Sequence, residues 1–286
     1  MRFLLSLLCI TIYSVIRGVH MNNRSEEYLK LKDGKMLCIS FGRGERPLVM
    51  IPGLRLSGIE GSSGVLAWYY RIFAKEYRVY VFDRKEPADD GCTIHGMAED
   101  LAEAMDLLGI SDACVFGASM GGMIAQDLAI THPGLVSRLV LGVTLSRPND
   151  TLREVIGHWT ELADKGDLTA IAEDYMHLGF SEAYLRKYKA FIPLAIRTQK
   201  MMPKERFISL AKACLTCSTY DDLSSITCPV LVLGGGKDRI VTGEASLEIA
   251  EKLGCRCHIY EDLSHEAYNE AKDFNKRIYE FFKEDN

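Results

Sequence analysis

The feature of this sequence that most restricts its fold is a series of short, continuous apolar runs separated by segments of helical periodicity. The runs occupy residues 47–53, 78–83, 112–119, 137–143, 228–236 and 255–260. Such runs are typical of strands that are buried on both faces of a parallel sheet. Because strands that alternate with helices form βαβ units, the sequence predicts a doubly wound, mostly parallel α/β sheet.

The segments around these runs carry helix and hairpin patterns. Residues 97–108 place apolar side chains on one stripe of a helix, and residues 120–131 form a helix rich in Met, Ala and Leu. In residues 27–44, apolar and polar residues alternate on both sides of Asp33-Gly34. This pattern predicts an antiparallel hairpin with its turn at Asp33-Gly34. An amphipathic pattern over 266–283 predicts a terminal helix.

The alternation stops between residues 150 and 222, where several amphipathic segments occur without a buried-strand run. This pattern predicts an all-helical insertion, and an insertion of this kind can cover the mouth of an active site. We therefore predict a core formed by 21–149 and 223–286, with a helical cap at 150–222.

Residues 1–20 form an apolar N-terminal extension that is shorter than the roughly 20 apolar residues a spanning helix needs. It is interpreted as a cleaved export signal, an uncleaved membrane anchor or sequence upstream of a true start at Met21. The nine cysteines are odd in number and scattered, which is typical of a reducing compartment. We predict the start at Met21 and a cytoplasmic protein, with export or anchoring as the alternative if 1–20 is a genuine signal.

Composition restricts the class of protein and of partner. With 286 residues, of which 48% are apolar and 26% charged, the chain is typical of a globular protein with a large core. A net charge of −5 without a basic run disfavours a nucleic-acid partner. We predict a small-molecule substrate and no stable membrane partner, and the sequence leaves the oligomeric state open.

The first candidate catalytic residue lies in a glycine-rich turn. Gly117-Ala118-Ser119-Met120-Gly121 matches G-x-S-x-G where a predicted strand meets a predicted helix. A sharp turn at this junction lifts the serine hydroxyl above the sheet, and the helix N-terminus directs free N–H groups toward developing negative charge. The pattern therefore indicates Ser119 as a nucleophile.

A serine nucleophile needs a base, and the base needs a carboxylate that orients it. Asp238 follows the apolar run at 228–236, and His265 follows the last predicted strand. Both are expected at the carboxyl edge of the sheet, where Ser119 also lies. The chain order Ser119, Asp238, His265 is the one expected of such a catalytic triad.

Together these motifs resemble those of the α/β-hydrolase superfamily, in its capped, cofactor-independent esterase- and lactonase-like branch. The resemblance covers Glu27 to Phe282 and rests on residues 51–53, 115–122, 233–241 and 263–270. It implies an eight-stranded sheet with a cap, Ser119 as nucleophile, His265 as base and then acid, and Asp238 as its partner. It also implies an oxyanion hole formed by the backbone N–H groups of Leu54 and Met120, and no cofactor or metal. The family usually has His-Gly where this chain has Pro52-Gly53.

The resulting functional hypothesis is a serine hydrolase that cleaves a small carboxylic ester or lactone through an acyl-enzyme. A C–C bond hydrolase and an aminopeptidase-type amide hydrolase are alternatives on the same triad, and Glu161, Asp164 or Glu173 could bind a peptide's ammonium group. A peracid-forming enzyme and a non-enzymatic ligand-binding protein are weaker alternatives. The Cys214-x-x-Cys217 pair lacks a second pair of zinc ligands and is expected to pack in the cap.

Overall fold

The computed structural model describes residues 23–88 and 91–284, and its centre is one eight-stranded sheet. The strands are β1 (Ser25–Leu31), β2 (Gly34–Phe41), β3 (Arg46–Ile51), β4 (Tyr77–Phe82), β5 (Ala113–Ala118), β6 (Val136–Gly142), β7 (Val230–Gly235) and β8 (Arg256–Tyr260). Their order across the sheet is β1-β2-β4-β3-β5-β6-β7-β8. The β1–β2 and β2–β4 pairs are antiparallel and the other pairs are parallel, which confirms the predicted mostly parallel sheet.

The predicted hairpin is present, but its turn lies one residue earlier than expected. Leu31 pairs with Gly34, so the two loop residues are Lys32 and Asp33. Gly34 belongs to β2, where a Cβ would stand 2.6 Å from the carbonyl oxygen of Glu86. This glycine is therefore required by the close approach of another backbone segment.

Eleven α-helices surround the sheet in the described part of the chain, besides short 3-10 turns. They are α1 (Ser63–Tyr69), α2 (Ile94–Leu107), α3 (Met120–Thr131), α4 (Asp150–Asp164), α5 (Leu168–Gly179), α6 (Glu182–Tyr188), α7 (Ile192–Thr198), α8 (Lys204–Ala213), α9 (Gly243–Leu253), α10 (Ala267–Glu270) and α11 (Phe274–Phe282). The prediction of a helix at 120–131 is confirmed by α3, and α2 begins three residues before the predicted helix at 97–108. Helix α2 begins earlier because Thr93 caps it, accepting a hydrogen bond from the backbone N–H of Gly96.

The core has two layers, one on each face of the sheet. Alternate residues of β3 point to opposite layers, with Val49 and Ile51 in one and Leu48 and Met50 in the other. Helices α2, α3 and α9 contribute buried side chains to the first layer, and α1 and α11 contribute to the second. Because both faces are covered, β5 and β7 are buried at every position, which explains their continuous apolar sequences.

The predicted single terminal helix over 266–283 is wrong, because two helices occupy that segment. Helix α10 ends at Glu270, and the next residue, Ala271, has an extended backbone (φ −68°, ψ 127°). Helix α11 then begins after Asp273, whose carboxylate accepts hydrogen bonds from Arg277 (2.7 Å) and from the hydroxyl of Tyr260 (3.2 Å). The amphipathic pattern continues across the break, so periodicity alone could not locate it.

Helices α4 to α8 follow one another between β6 and β7, with no strand among the described residues of this segment. Three of these helices begin at capping residues that the sequence supplies. Asn149 accepts from the N–H of Leu152, Asp167 from that of Ala170, and Ser181 from that of Tyr184.

The predictions for residues 1–20 lie outside the residues that the structure describes. Within the described ranges, no helix combines the length and the mean hydropathy that a bilayer-spanning helix requires.

Candidate active site

Ser119 lies at the sharp turn between β5 and α3. Its backbone has φ +54° and ψ −122°, a conformation that costs energy for a residue with a side chain. The surrounding hydrogen bonds hold this conformation: the Ser119 N–H donates to the carbonyl of Gly142 (2.8 Å), and the Thr144 hydroxyl donates to the Ser119 carbonyl (2.7 Å). The side chain remains partly exposed, so a substrate could reach its hydroxyl.

The two glycines of the motif are required by close packing. A Cβ on Gly117 would stand 2.2 Å from the carbonyl oxygen of Gly121, and a Cβ on Gly121 would stand 2.0 Å from that of Ile51. Neither contact can be relieved by moving a flexible side chain, because both partners are backbone atoms. The turn therefore needs glycine at both positions if β3, β5 and α3 are to approach this closely.

The loop that follows β3 packs directly on the serine. A Cβ on Gly53 would stand 3.1 Å from Cβ and 3.6 Å from Oγ of Ser119. The next residue is Leu54, and Met120 is the first residue of α3, whose N–H has no acceptor within its own helix. Both residues thus lie in segments adjoining the Ser119 hydroxyl.

A buried arginine, which the sequence did not reveal as functional, contacts the loop after β3. The Arg84 guanidinium donates to the carbonyl of Pro52, and the backbone N–H of Arg84 donates to Asp83 Oδ1 (2.9 Å). Burial lowers the pKa of Arg84 to about 10, which leaves the side chain charged at neutral pH. Arg84 thereby fixes the peptide that precedes Gly53.

Asp238 and His265 meet at the carboxyl edge of the sheet. The Asp238 Oδ2 and His265 Nδ1 atoms are 2.8 Å apart, and the residues are only 7% and 2% exposed. The other carboxylate oxygen, Oδ1, accepts from the N–H groups of Ile240 (2.8 Å) and Val241 (3.0 Å). Because a carboxylate faces Nδ1, that nitrogen carries the proton and Nε2 is free to accept one.

The environment of His265 favours its charged form. Burial lowers the pKa of His265, but the charge and hydrogen bond of Asp238, together with the charge of Glu266, outweigh burial and raise the pKa above its ordinary value of 6.5. An imidazolium formed at this position is therefore stabilised by two carboxylates.

Glu266 is the second functional candidate that the sequence did not reveal. It is 1% exposed, and its donors are all uncharged. The hydroxyls of Tyr175 and Tyr268 (2.8 Å) both donate to Oε1, and the side chain of Asn269 donates to Oε2. The only sequence signal is its position next to His265, since Tyr175 lies far away in the chain.

The helical insertion is attached to the loops of this site at several points. From α5, the carbonyl of Gly179 accepts from the N–H of Glu266 (2.8 Å), and that of Leu178 accepts from the Ser264 hydroxyl (2.6 Å). Farther along, the N–H of Met202 donates to the carbonyl of Leu56 (2.7 Å). The insertion therefore contacts both the loop that carries His265 and the loop that carries Leu54.

The structure brings some predicted residues together and leaves others apart. Ser119, Asp238 and His265 lie at one edge of the sheet, beside the loop that carries Leu54. The acids proposed to bind an ammonium group are instead exposed: Glu161, Asp164 and Glu173.

The Cys214-x-x-Cys217 pair is buried, as predicted for packing. Burial raises the pKa of both thiols to about 12, which keeps them protonated at neutral pH. Among the residues described, no group of three or more His, Cys, Asp or Glu side chains is arranged to hold a metal ion.

Sequence comparison relates the chain to a known family. The sequence model of the family described as "Serine aminopeptidase, S33" (Hydrolase_4) matches residues 92–272, more than half of the chain. The "Putative carbamate hydrolase RutD" of Caulobacter sp. (strain K31) is 27% identical over 209 residues, which cover 69% of this chain and 76% of that protein.

Solved structures share the fold. The enol-lactonase from Burkholderia xenovorans LB400 aligns with a TM-score of 0.78 and 23% identity, covering 90% of this chain and all of the other. A thermophilic esterase from Thermogutta terrifontis aligns with a TM-score of 0.75 and 21% identity, covering 91% of this chain and 98% of the other. The chain therefore belongs to the serine aminopeptidase S33 (Hydrolase_4) family and is an enzyme of the α/β-hydrolase superfamily, as its motifs predict.

Proposed function

We propose that this enzyme is a serine hydrolase that cleaves small carboxylic esters or lactones through an acyl-enzyme, with Ser119, His265 and Asp238 as its triad. The observation that carries the proposal is the buried Asp238–His265 hydrogen bond at the sheet edge that also holds the Ser119 turn. A histidine oriented in this way, with Nε2 unprotonated, is suited to activate a serine hydroxyl.

In the proposed reaction, Ser119 Oγ attacks the substrate carbonyl carbon and its proton passes to His265 Nε2. The tetrahedral intermediate collapses, the alcohol oxygen leaves with that proton, and an acyl-enzyme remains. Water then attacks the acyl carbon while His265 accepts its proton. The second tetrahedral intermediate collapses, the bond to Ser119 Oγ breaks, Oγ takes the proton from His265, and the carboxylic acid is released. Asp238 and Glu266 stabilise the imidazolium in both halves of the reaction.

The negative oxygen of each tetrahedral intermediate is proposed to bind to the backbone N–H groups of Leu54 and Met120. Two features support this assignment: the loop of Gly53 packs on Ser119, and Met120 begins a helix. The helix N-terminus adds a favourable dipole. Removing one such donor typically costs about 10²–10³ in rate.

The proposed helical cap, residues 150–222, would cover this site and select the substrate. An enol-lactonase and an esterase among proteins of this fold support an ester or lactone. The RutD relative favours a carbamate as the second candidate, because its carbonyl is open to the same attack. Assays with an aryl ester, a lactone, an aryl carbamate and an aminoacyl amide would rank these classes.

A fluorophosphonate probe tests the activated serine directly. Ser119 is expected to attack the phosphorus atom and displace fluoride, and peptide mass measurement would then find the adduct on Ser119. Ser119→Ala and His265→Ala are expected to abolish labelling. His132→Ala, which removes a surface histidine paired with Glu99, is the matched control and should be labelled like the parent. An adduct elsewhere, or no adduct on folded protein, would refute the triad.

The raised pKa of His265 gives a pH prediction. The base must be neutral to accept a proton, so kcat/KM is expected to fall as His265 becomes protonated, with the acid limb above the pH of an ordinary histidine. Glu266→Gln removes one charge that raises the pKa of His265, so the acid limb should move to lower pH. At a pH below the parent's acid limb, the kcat/KM of Glu266→Gln, as a fraction of its own plateau value, should therefore exceed that of the parent.

The glutamine variant is expected to fold, because most hydrogen bonds of Glu266 can persist. Its Oε1 can still accept from Tyr175 and Tyr268, and Asn269 can turn its amide to accept from the new NH₂ group. Glu280→Gln makes the same charge change at an exposed site and should leave the limb in place. An unmoved limb in Glu266→Gln would show that Glu266 does not act on the base.

A further inference from the structure

The helical insertion contains a segment whose charge is opposite to that of the whole chain. Residues 183–204 include no Asp or Glu, although the chain carries a net charge of −5. The basic residues of this segment are Arg186, Lys187, Lys189, Arg197, Lys200 and Lys204. The first five are exposed, and we refer to these five as the basic surface.

Apolar side chains lie exposed among these charges. Phe191 is 52% exposed and Leu194 is 38% exposed, and Ala190 and Pro193 beside them are also exposed. They occupy the connection between α6 and α7 and the first turn of α7. Exposed aromatic and aliphatic side chains in a segment rich in exposed Lys and Arg are a composition typical of proteins that bind at a membrane interface.

The charges of this surface are largely available to a partner. Within the described structure, Arg186, Lys189 and Arg197 form no salt bridge. Lys200 is 3.8 Å from Glu60, but this pair is exposed and such pairs contribute little. Bringing these side chains to an anionic surface would therefore break few existing interactions.

The segment is anchored at both ends beside the candidate active site. At its start, the N–H and hydroxyl of Ser181 donate to Glu270 (2.8 and 2.5 Å), which lies five residues after His265. At its end, Met202 donates to Leu56, two residues after Leu54. Both ends of the segment that carries the basic surface are therefore attached to the loops that follow His265 and Leu54.

We propose that the basic surface docks reversibly on an anionic lipid membrane, with Phe191 and Leu194 entering the headgroup region. Lipid phosphates and carboxylates would bind the Lys and Arg side chains, and each such charge near an anionic membrane strengthens binding about 5-fold. The exposed apolar side chains favour a membrane over a polynucleotide, since burial in the interface compensates their exposure to water. Docking there would bring the active-site side of the enzyme to esters dissolved in the lipid.

Vesicle co-sedimentation of the full chain tests this proposal. Binding is expected to be much tighter to phosphatidylcholine vesicles with 30% phosphatidylserine than to phosphatidylcholine alone, and to weaken with added salt. The variant R186Q/K189Q/R197Q should bind the anionic vesicles about 100-fold more weakly. The variant F191S/L194S should bind the anionic vesicles at least about 10-fold more weakly than the parent.

The matched control is K32Q/K75Q/K272Q, which removes three exposed lysines outside the basic surface. It should bind like the parent, and all three variants should melt at similar temperatures and hydrolyse a soluble ester equally. Equal binding to both vesicle types would refute the proposal, as would parent-like binding of R186Q/K189Q/R197Q. Equal loss in the control would also refute it, because net charge rather than this surface would then be responsible. The vesicle-binding outcomes are independent of whether the proposed reaction is correct.

Discussion

Replacing Ser119 with alanine is expected to lower kcat for a small aryl ester by about 10⁴- to 10⁶-fold. The variant loses the nucleophile, and any remaining turnover depends on direct attack by water beside the oxyanion donors. The fold should be little changed, because alanine retains the Cβ that already packs at φ +54° and the hydrogen bonds at this turn are made by backbone atoms of residue 119.

Stopped-flow or steady-state release of the aryl alcohol measures the loss, and thermal melting confirms that the variant folds. Ser137→Ala is the matched control, since its hydroxyl donates to the carbonyl of Asp112 away from the site (2.9 Å). The control should keep the parent kcat. If Ser119→Ala retained a tenth or more of the parent activity, Ser119 could not be the nucleophile.

The sheet could be predicted from sequence because its central strands are buried on both faces. Complete burial demands an uninterrupted apolar run, as in β5 and β7, and few other structures produce such runs at regular intervals. The break between α10 and α11 was not predictable in the same way. The extended backbone of Ala271 and the contact of Asp273 with Tyr260 accompany the break, and no periodic pattern reports either of them.

The positions of Ser119, Asp238 and His265 could be predicted because each follows a strand of a parallel sheet. Parallel strands bring their carboxyl ends to one edge of the sheet, so a residue that directly follows such a strand in the sequence lies at that edge. The glycines beside Ser119 strengthened the prediction, since the backbone contacts they permit exclude any Cβ.

Arg84 and Glu266 could not be predicted because their roles depend on partners remote in sequence. Arg84, just after β4, contacts the carbonyl of Pro52 at the end of the neighbouring strand β3, and Glu266 accepts from the hydroxyl of Tyr175 in the insertion. The basic surface was similarly missed: its charges are interrupted by apolar residues, and they become a surface only when α6 and α7 expose them together.

Replacing Asp238 with asparagine is expected to lower kcat by about 10⁴-fold, although the side chain keeps its size. The structure determines how asparagine would be oriented. Oδ1 accepts from the N–H groups of Ile240 and Val241, so the amide oxygen must occupy that position and the NH₂ group must face His265 Nδ1.

An NH₂ group at this position donates to Nδ1 and moves the imidazole proton to Nε2, the atom that must accept from Ser119. The base is then present, correctly placed and in the wrong tautomer, so kcat falls while KM changes little. Asp262→Asn is the matched control, because that carboxylate is exposed and pairs with Lys237 at 2.8 Å. The control should keep the parent kcat, and ¹⁵N chemical shifts of His265 should report the exchange of tautomers. A nearly unchanged kcat in Asp238→Asn, with that exchange observed, would mean that the reaction does not pass through Nε2 of His265.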